Sequence, residues 1–293
     1  MQDDWLGRFQ QFEARKTRLA TTVPLPPYRT ELDDPDADAL AIGNAWTIRL
    51  FDGRFYLSPA ATPVRPACSL VFVQSSDGNT SAPDPGVLGG GDTDTHLIYE
   101  GLSRVAADAV LAGAQTVRGS DVMFSVWHPQ LVDLRLSLEL SRHPVQIVAT
   151  LRGLELADTM LFNLPDIPVL LLTVASAAER MYHAIKIRPW IRLLLMEGPG
   201  DLRRAFERLG SIGIARISCI GGRTLAGHLL DAGLIDDLYL TTGRNAGGEP
   251  GTPLSSAPWR GRTVVRKGGT GVEQGVIFEH RLPGGRGTDW SER

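Results

Sequence analysis

The chain has 293 residues, 43% hydrophobic and 22% charged, with a formal net charge of −3, which is ordinary globular composition for one large or two small domains. With no block of lysine and arginine, that charge argues against a nucleic-acid surface. The best apolar run, residues 169–174, is strand-sized rather than bilayer-sized, and the acidic start Met1-Gln-Asp-Asp4 opens no secretory signal, so a cytoplasmic protein without membrane contact is expected.

In chain order, residues 1–20 read as a short amphipathic helix with Trp5, Phe9 and Phe12 on one side, fit to dock on the main domain or on a second copy. Residues 21–40, with Pro24, Pro26, Pro27 and Pro35, read as an irregular linker. Residues 46–51, Asp52-Gly53 and residues 54–57 predict a β-hairpin, because Asp-Gly supplies the positive φ of a tight turn. These elements make an N-terminal extension, 1–64, before a main domain, 65–283, and a loose tail, 284–293.

From Arg65 onward strands and helices alternate. Residues 68–74 predict a buried strand, and residues 95–107 a helix with Leu97, Ile98, Leu102 and Val105 inward and Thr93 or Asp94 as its cap. Strands follow at 109–112, 145–150 and 169–173, then a helix at 201–209 capped by Asp201 and closed by Gly210. A strand at 214–220, a helix after Gly221-Gly222 and a strand at 238–242 complete the alternation, and residues 264–281 are expected to return as antiparallel edge strands. This is an α/β pattern, a mainly parallel sheet with helices on both faces. Cys68 and Cys219 each lie in an apolar strand-like run and are expected as free, buried thiols.

The chemistry concentrates where strand meets helix. Ile217-Ser-Cys-Ile-Gly221-Gly222-Arg223-Thr224-Leu225 carries a strand through a glycine pair into a helix. Such a turn lets an anion approach bare N–H groups at a helix N-terminus, whose dipole adds about half a positive charge. Taken alone, a Gly-Gly pair is better read as a plain tight turn. A second segment, Arg104 through Asp108 to Gly113, Thr116 and Val117, runs from a helix end through a buried strand to a small-residue turn.

Together with Ser75-Ser76-Asp77-Gly78, these segments resemble, in order and spacing from about residue 65 to 254, the C-terminal reductase domain of the bacterial bifunctional deaminase-reductase of riboflavin synthesis. The resemblance implies a dihydrofolate-reductase-like three-layer sandwich, an NADPH cofactor, a small-molecule substrate and a homodimer. It implies that Gly221, Gly222, Arg223, Thr224 and Leu225 hold the cofactor diphosphate, with Gly113, Thr116 and Thr150 at the same ligand. Arg118 and Arg152 are candidates for the 2′-phosphate by charge and position. Arg104 matches an arginine that binds substrate phosphate, although a solvated helix charge is an equal reading. Asp77 is a candidate for substrate orientation or proton relay, against the simpler reading of a turn aspartate. Asp236 and Asp237 read as structural, His228 as a surface or dimer residue, and no histidine has metal-ligand spacing. The zinc deaminase signature is absent from the chain.

Departures cluster on the substrate side. Where the family places a glutamate before the glycine pair this chain has Ile220, and a family arginine is replaced by Trp127; an acidic position becomes Ser120, beside Asp121. Losing a charge-assisted hydrogen bond of that kind removes about 1.5–3 kcal/mol. The expected activity is therefore hydride transfer from NADPH to an imine or carbonyl-like carbon of a substrate other than the riboflavin intermediate. Two alternatives stand beside it. One is a non-catalytic nucleotide-binding or scaffold protein; the other, ranked last because the sequence shows no obvious pocket carboxylate, is dihydrofolate reductase activity.

Overall fold

The structure is a computed structural model and describes residues 4–60, 62, 64–118, 121–255 and 259–284. Ser120 and all but the first residue of the expected tail lie outside the described residues. A ten-stranded sheet in the order β1-β11-β12-β10-β4-β9-β5-β6-β7-β8 forms the middle layer. Its strands are β1 (Tyr28–Asp33), β4 (Ala67–Gln74), β5 (Ala109–Gly113), β6 (Val145–Thr150), β7 (Val169–Val174), β8 (Ile191–Met196), β9 (Arg216–Cys219), β10 (Asp237–Thr242), β11 (Gly261–Gly269) and β12 (Ile277–Pro283). From β10 to β8 every neighbouring pair is parallel, and β12, β11 and β1 add antiparallel ladders.

Alternation along these strands builds a core on each face. Cys68, Leu70, Leu111, Leu172, Leu238 and Leu240 pack against the helices Leu202–Ser211 and Arg223–Asp231. On the other face Val110, Ala112, Val148 and Leu171 meet Phe9 and Phe12 of the N-terminal helix Trp5–Thr22. Val71, Tyr239 and Phe278 meet Leu97, Ile98 and Leu102 of a helix spanning 91–105, whose Asp94–Leu102 stretch is π-wound. Of the two docking surfaces expected for the N-terminal helix, the main domain is the one it occupies. No described helix is long and apolar enough to cross a membrane.

Three expectations about local structure change. Residues 46–57 do not form a hairpin; Ala45–Phe51 is a helix with a capping box at Asn44 and Thr47, and β3 (Phe55–Leu57) pairs with β2 (Leu40–Ile42). Asp52 takes the left-handed conformation, φ 54°, as the helix C-cap, so the Asp-Gly that signals a turn also ends a helix. The linker is not wholly irregular, because β1 pairs with β11 and stands at the sheet edge in its place. Asp94 and Asp201 are not side-chain caps: Asp94 is buried in its helix, and Asp201 accepts from the Glu197 N–H.

Asp236 and Asp237 sit at the N-terminal start of β10, far from its functional end. Arg65 grips Asp236 through two hydrogen bonds of 2.8 and 3.0 Å, and Asp236 also accepts from the Cys68 N–H. Asp237 meets His280 at 2.7 Å and the Ser58 N–H. Both cysteines are free and buried, and burial pushes the Cys219 thiol up to about 12.

Candidate active site

The carboxyl ends of the parallel strands carry the turns singled out in the sequence, where open α/β sheets place their ligands. β9 and β5 are adjacent, so their turns meet: the Gly113 N–H donates to the Gly221 carbonyl at 2.9 Å, and the Ile220 N–H to the Leu111 carbonyl at 3.0 Å. The Thr116 hydroxyl lies 3.5 Å from the Gly222 nitrogen. Gly221 has φ +100°, and a Cβ there would lie 3.0 Å from the Phe72 ring, so both backbone and space require glycine.

Gly222 leads into the helix Arg223–Asp231 without any side-chain cap, and the nearest atom to a Cβ built on it is the Thr116 hydroxyl at 3.9 Å. The first N–H groups of this helix therefore keep their donors and its dipole for a ligand. Arg223 and Thr224 are exposed at this corner, while Leu225 packs on the core beneath it. These groups fit a diphosphate: bare donors, an uncapped helix end, a neighbouring hydroxyl and a cation. Thr150 stands apart in one respect. Its hydroxyl donates to the Gly153 carbonyl at 3.2 Å, bracing the turn after β6. Arg118 and Arg152 are exposed in the turns after β5 and β6.

The surroundings of Ile220 and Trp127 are apolar and covered. Ile220, 7% exposed, belongs to the cluster of Phe9, Phe12, Trp127, Val148 and Met160. Trp127 packs edge-on against Phe12 at 5.4 Å. Two of the three positions where the chain departs from the family pattern, Ile220 and Trp127, thus lie in the buried cluster that the N-terminal helix joins. Ion pairs tie that helix down at its margins: Lys16–Glu100 at 2.5 Å, Arg142–Glu13 at 3.0 Å and Arg8–Asp121 at 2.7 Å. Burial pushes Glu100 upward, but His96, Lys16 and Arg104 outweigh it and hold the carboxylate at about 2.

Two candidate residues are corrected. Arg104 is 1% exposed; its guanidinium lies 4.2 Å over the Tyr99 ring and donates to the Ser125 carbonyl. It is buried rather than a solvated charge, because the helix bearing it packs inward where periodicity alone gave no depth, and its Nε and Nη2 find no hydrogen-bond partner among the described residues. Asp77 is exposed and accepts from the Ser75 hydroxyl and the Gly247 N–H, which joins the loops after β4 and β10. These hydrogen bonds hold its pKa below the ordinary carboxylate range and make it a brace between the two loops.

One carboxyl escaped the sequence reading. Asp94, taken there as a possible helix cap, is buried at the start of the 91–105 helix and accepts a hydrogen bond from Thr241 near the end of β10. Burial, partly opposed by that hydrogen bond and aided by Glu273, pushes it up to about 7. The signal was an acidic residue beside an apolar helical stripe; its raised pKa depends in part on Glu273, distant in sequence.

A family model for the RibD C-terminal domain matches residues 68–255. No curated protein sequence matches the chain. Among solved structures, a pyrimidine reductase-like protein from Corynebacterium diphtheriae is similar at 23% identity and TM-score 0.61, covering 74% of this chain and 92% of that one. RibD from Acinetobacter baumannii is similar at 19% identity and TM-score 0.58, covering 75% of this chain, which spans only 58% of that longer protein. A diaminohydroxyphosphoribosylaminopyrimidine deaminase/5-amino-6-(5-phosphoribosylamino)uracil reductase from Thermotoga maritima follows at 17% and TM-score 0.51, with 75% and 57% covered. The joined turns of β5 and β9 fall inside the matched region, and the chain belongs to the RibD C-terminal domain family.

Proposed function

We propose that the protein is an NADPH-dependent reductase of the pyrimidine reductase type, acting on a small heterocyclic or sugar-derived compound that carries a C=N or carbonyl group. The observation that carries this reading is the joined corner, where the Gly113 N–H donates to the Gly221 carbonyl beside the uncapped helix Arg223–Asp231. There the backbone of residues 221–225 and Thr116 would hold the diphosphate, with Arg118 or Arg152 toward the 2′-phosphate. The cofactor, when bound, supplies a hydride. The protein supplies orientation through this corner.

The apolar floor favours a substrate other than the ribosylaminouracil reduced by relatives, since Ile220 offers no hydrogen bond. A pterin substrate is the second reading, and methotrexate titration by calorimetry tests it. Titration with NADPH and NADH by fluorescence tests the first. Binding of NADPH at sub-millimolar concentration, tighter than NADH, is expected, and no binding refutes it. Homodimerisation is part of this proposal, and a monomer by light scattering at micromolar concentration contradicts it.

A further inference from the structure

The ten-stranded sheet ends in two edges that are built differently. At one, β1 exposes Arg29, Glu31 and Asp33 and carries a register shift between Thr30 and Leu32. Charges and a bulge are means by which a sheet edge avoids pairing with another chain. At the other, β8 reads Ile-Arg-Leu-Leu-Leu-Met, with no proline, no register shift against β7 and a single charge, Arg192. Leu193 and Leu195, on one face of it, are 40% and 41% exposed, and Ile212 is exposed in the cleft that Trp190 and Arg192 line at its start. Backbone groups along this edge fix a register. The Leu195 carbonyl points outward, where Arg208 donates to it at 2.8 Å, and the Glu197 N–H points outward to Asp201. By alternation Ile191 and Leu193 turn their groups outward as well. The Ile191 N–H is taken by the Arg188 carbonyl. Both backbone groups of Leu193 and the Leu195 N–H are left open at the middle of the strand.

We propose that two copies of the chain join β8 to β8, antiparallel, about a two-fold axis at Leu194; this interface rests on the homodimer reading above and gives it a surface. In this register Leu193 lies opposite Leu195 of the partner subunit, and the two exchange both backbone hydrogen bonds. The partner's Leu193 N–H replaces Arg208 on the Leu195 carbonyl, and symmetry repeats the pair, so every open group is used. Directly opposed residues share a face, so the two exposed leucines cover each other twice. An axis at Leu193 would instead oppose Leu195 to Ile191, whose N–H is already taken. Charge agrees with the antiparallel sense. Arg192 stands at the start of the strand and Glu197 just past its end, and Arg192 is exposed and in no ion pair among the described residues. Antiparallel pairing sets Arg192 beside Glu197 of the partner subunit, whereas parallel pairing would align like charges. The contact is isologous and closes on itself, joining ten strands from each copy into one sheet.

The test measures oligomeric state by light scattering across micromolar concentrations, on the full chain, for wild type, Leu195→Lys, Arg192→Glu, Glu197→Lys and the double variant Arg192→Glu/Glu197→Lys. Far-UV circular dichroism checks that each is folded. The wild type should be a dimer. Leu195→Lys sets a lysine opposite Leu193 twice in each dimer and should weaken association at least about 100-fold. Each single charge reversal should weaken it about 10-fold, and the double variant should regain wild-type association. Residues 192 and 197 lie about 17 Å apart along one strand, too far to pair within a chain, so that rescue reads a contact between copies. Hydrogen exchange should show the Leu193 N–H protected in the wild type and unprotected in Leu195→Lys. The charge cycle and the wild-type exchange decide the matter if Leu195→Lys does not fold. A dimeric wild type whose Leu193 N–H exchanges freely, whose double variant shows no rescue, or whose Leu195→Lys variant associates equally well overturns this interface and leaves the homodimer reading standing. A monomeric wild type overturns both.

Discussion

Replacing Asp94 with Asn has a consequence for stability that requires no substrate. The carboxyl stands at about 7 in the folded protein against an ordinary 3.8, an upward displacement caused first by burial and then by Glu273. Asn matches the neutral acid in shape, and its amide oxygen still accepts from Thr241. Between those two pH values the folded protein holds the Asp94 proton and the unfolded chain does not, so native stability falls as pH rises. The contribution is full below about pH 4 and is lost as pH climbs through about 7, at about 1.4 kcal/mol per pH unit, or roughly 4 kcal/mol in all. Because every other group is shared, the difference between wild type and Asp94→Asn isolates this one. Urea unfolding at pH 5, 6, 7 and 8 should show the variant gaining on wild type to pH 7 and holding its advantage at pH 8, with unchanged m-values. A difference that is flat across this range would mean that Asp94 is ionised in the folded protein, and the reasoning about its burial would fail.

Gly221→Ala forces a side chain into φ +100° and onto Phe72; it should cost about 1–3 kcal/mol in urea unfolding and weaken NADPH binding. Phe12→Ala removes a buried ring from against Trp127; a loss of about 3–5 kcal/mol is expected, and an unchanged midpoint would show that the N-terminal helix does not belong to the core. Arg65→Met leaves buried Asp236 without its guanidinium and should cost about 3–5 kcal/mol by the same assay at pH 7.

Much of the site was legible because it is local. A glycine pair between an apolar strand and a helix, and a threonine just past another strand, are statements about neighbouring residues, and backbone geometry carries them unaided from sequence to rim. The alternation of apolar residues likewise laid out most of the parallel sheet, since side chains on a strand must face one layer or the other. Where local signals were shared by two structures they misled: Asp52-Gly53 serves a helix end here, and β1 lies in a stretch whose prolines suggested a linker.

Tertiary structure alone decided depth and company. Trp127 reads as a missing polar group until Phe12 is seen packed edge-on against it, and Ile220 lies in the same buried cluster. Arg104 is buried because its helix lies inward, and Asp77 braces two loops because the Gly247 N–H crosses to it from another loop. Asp94 shows the same dependence from the opposite direction: in sequence it is a candidate cap at a helix start, and its carboxyl is pushed up to about 7 through loss of water and the approach of Glu273. Sequence specifies which groups the chain carries and their local geometry; the energy of a charge depends on everything within several ångströms, which distant segments supply only once folded.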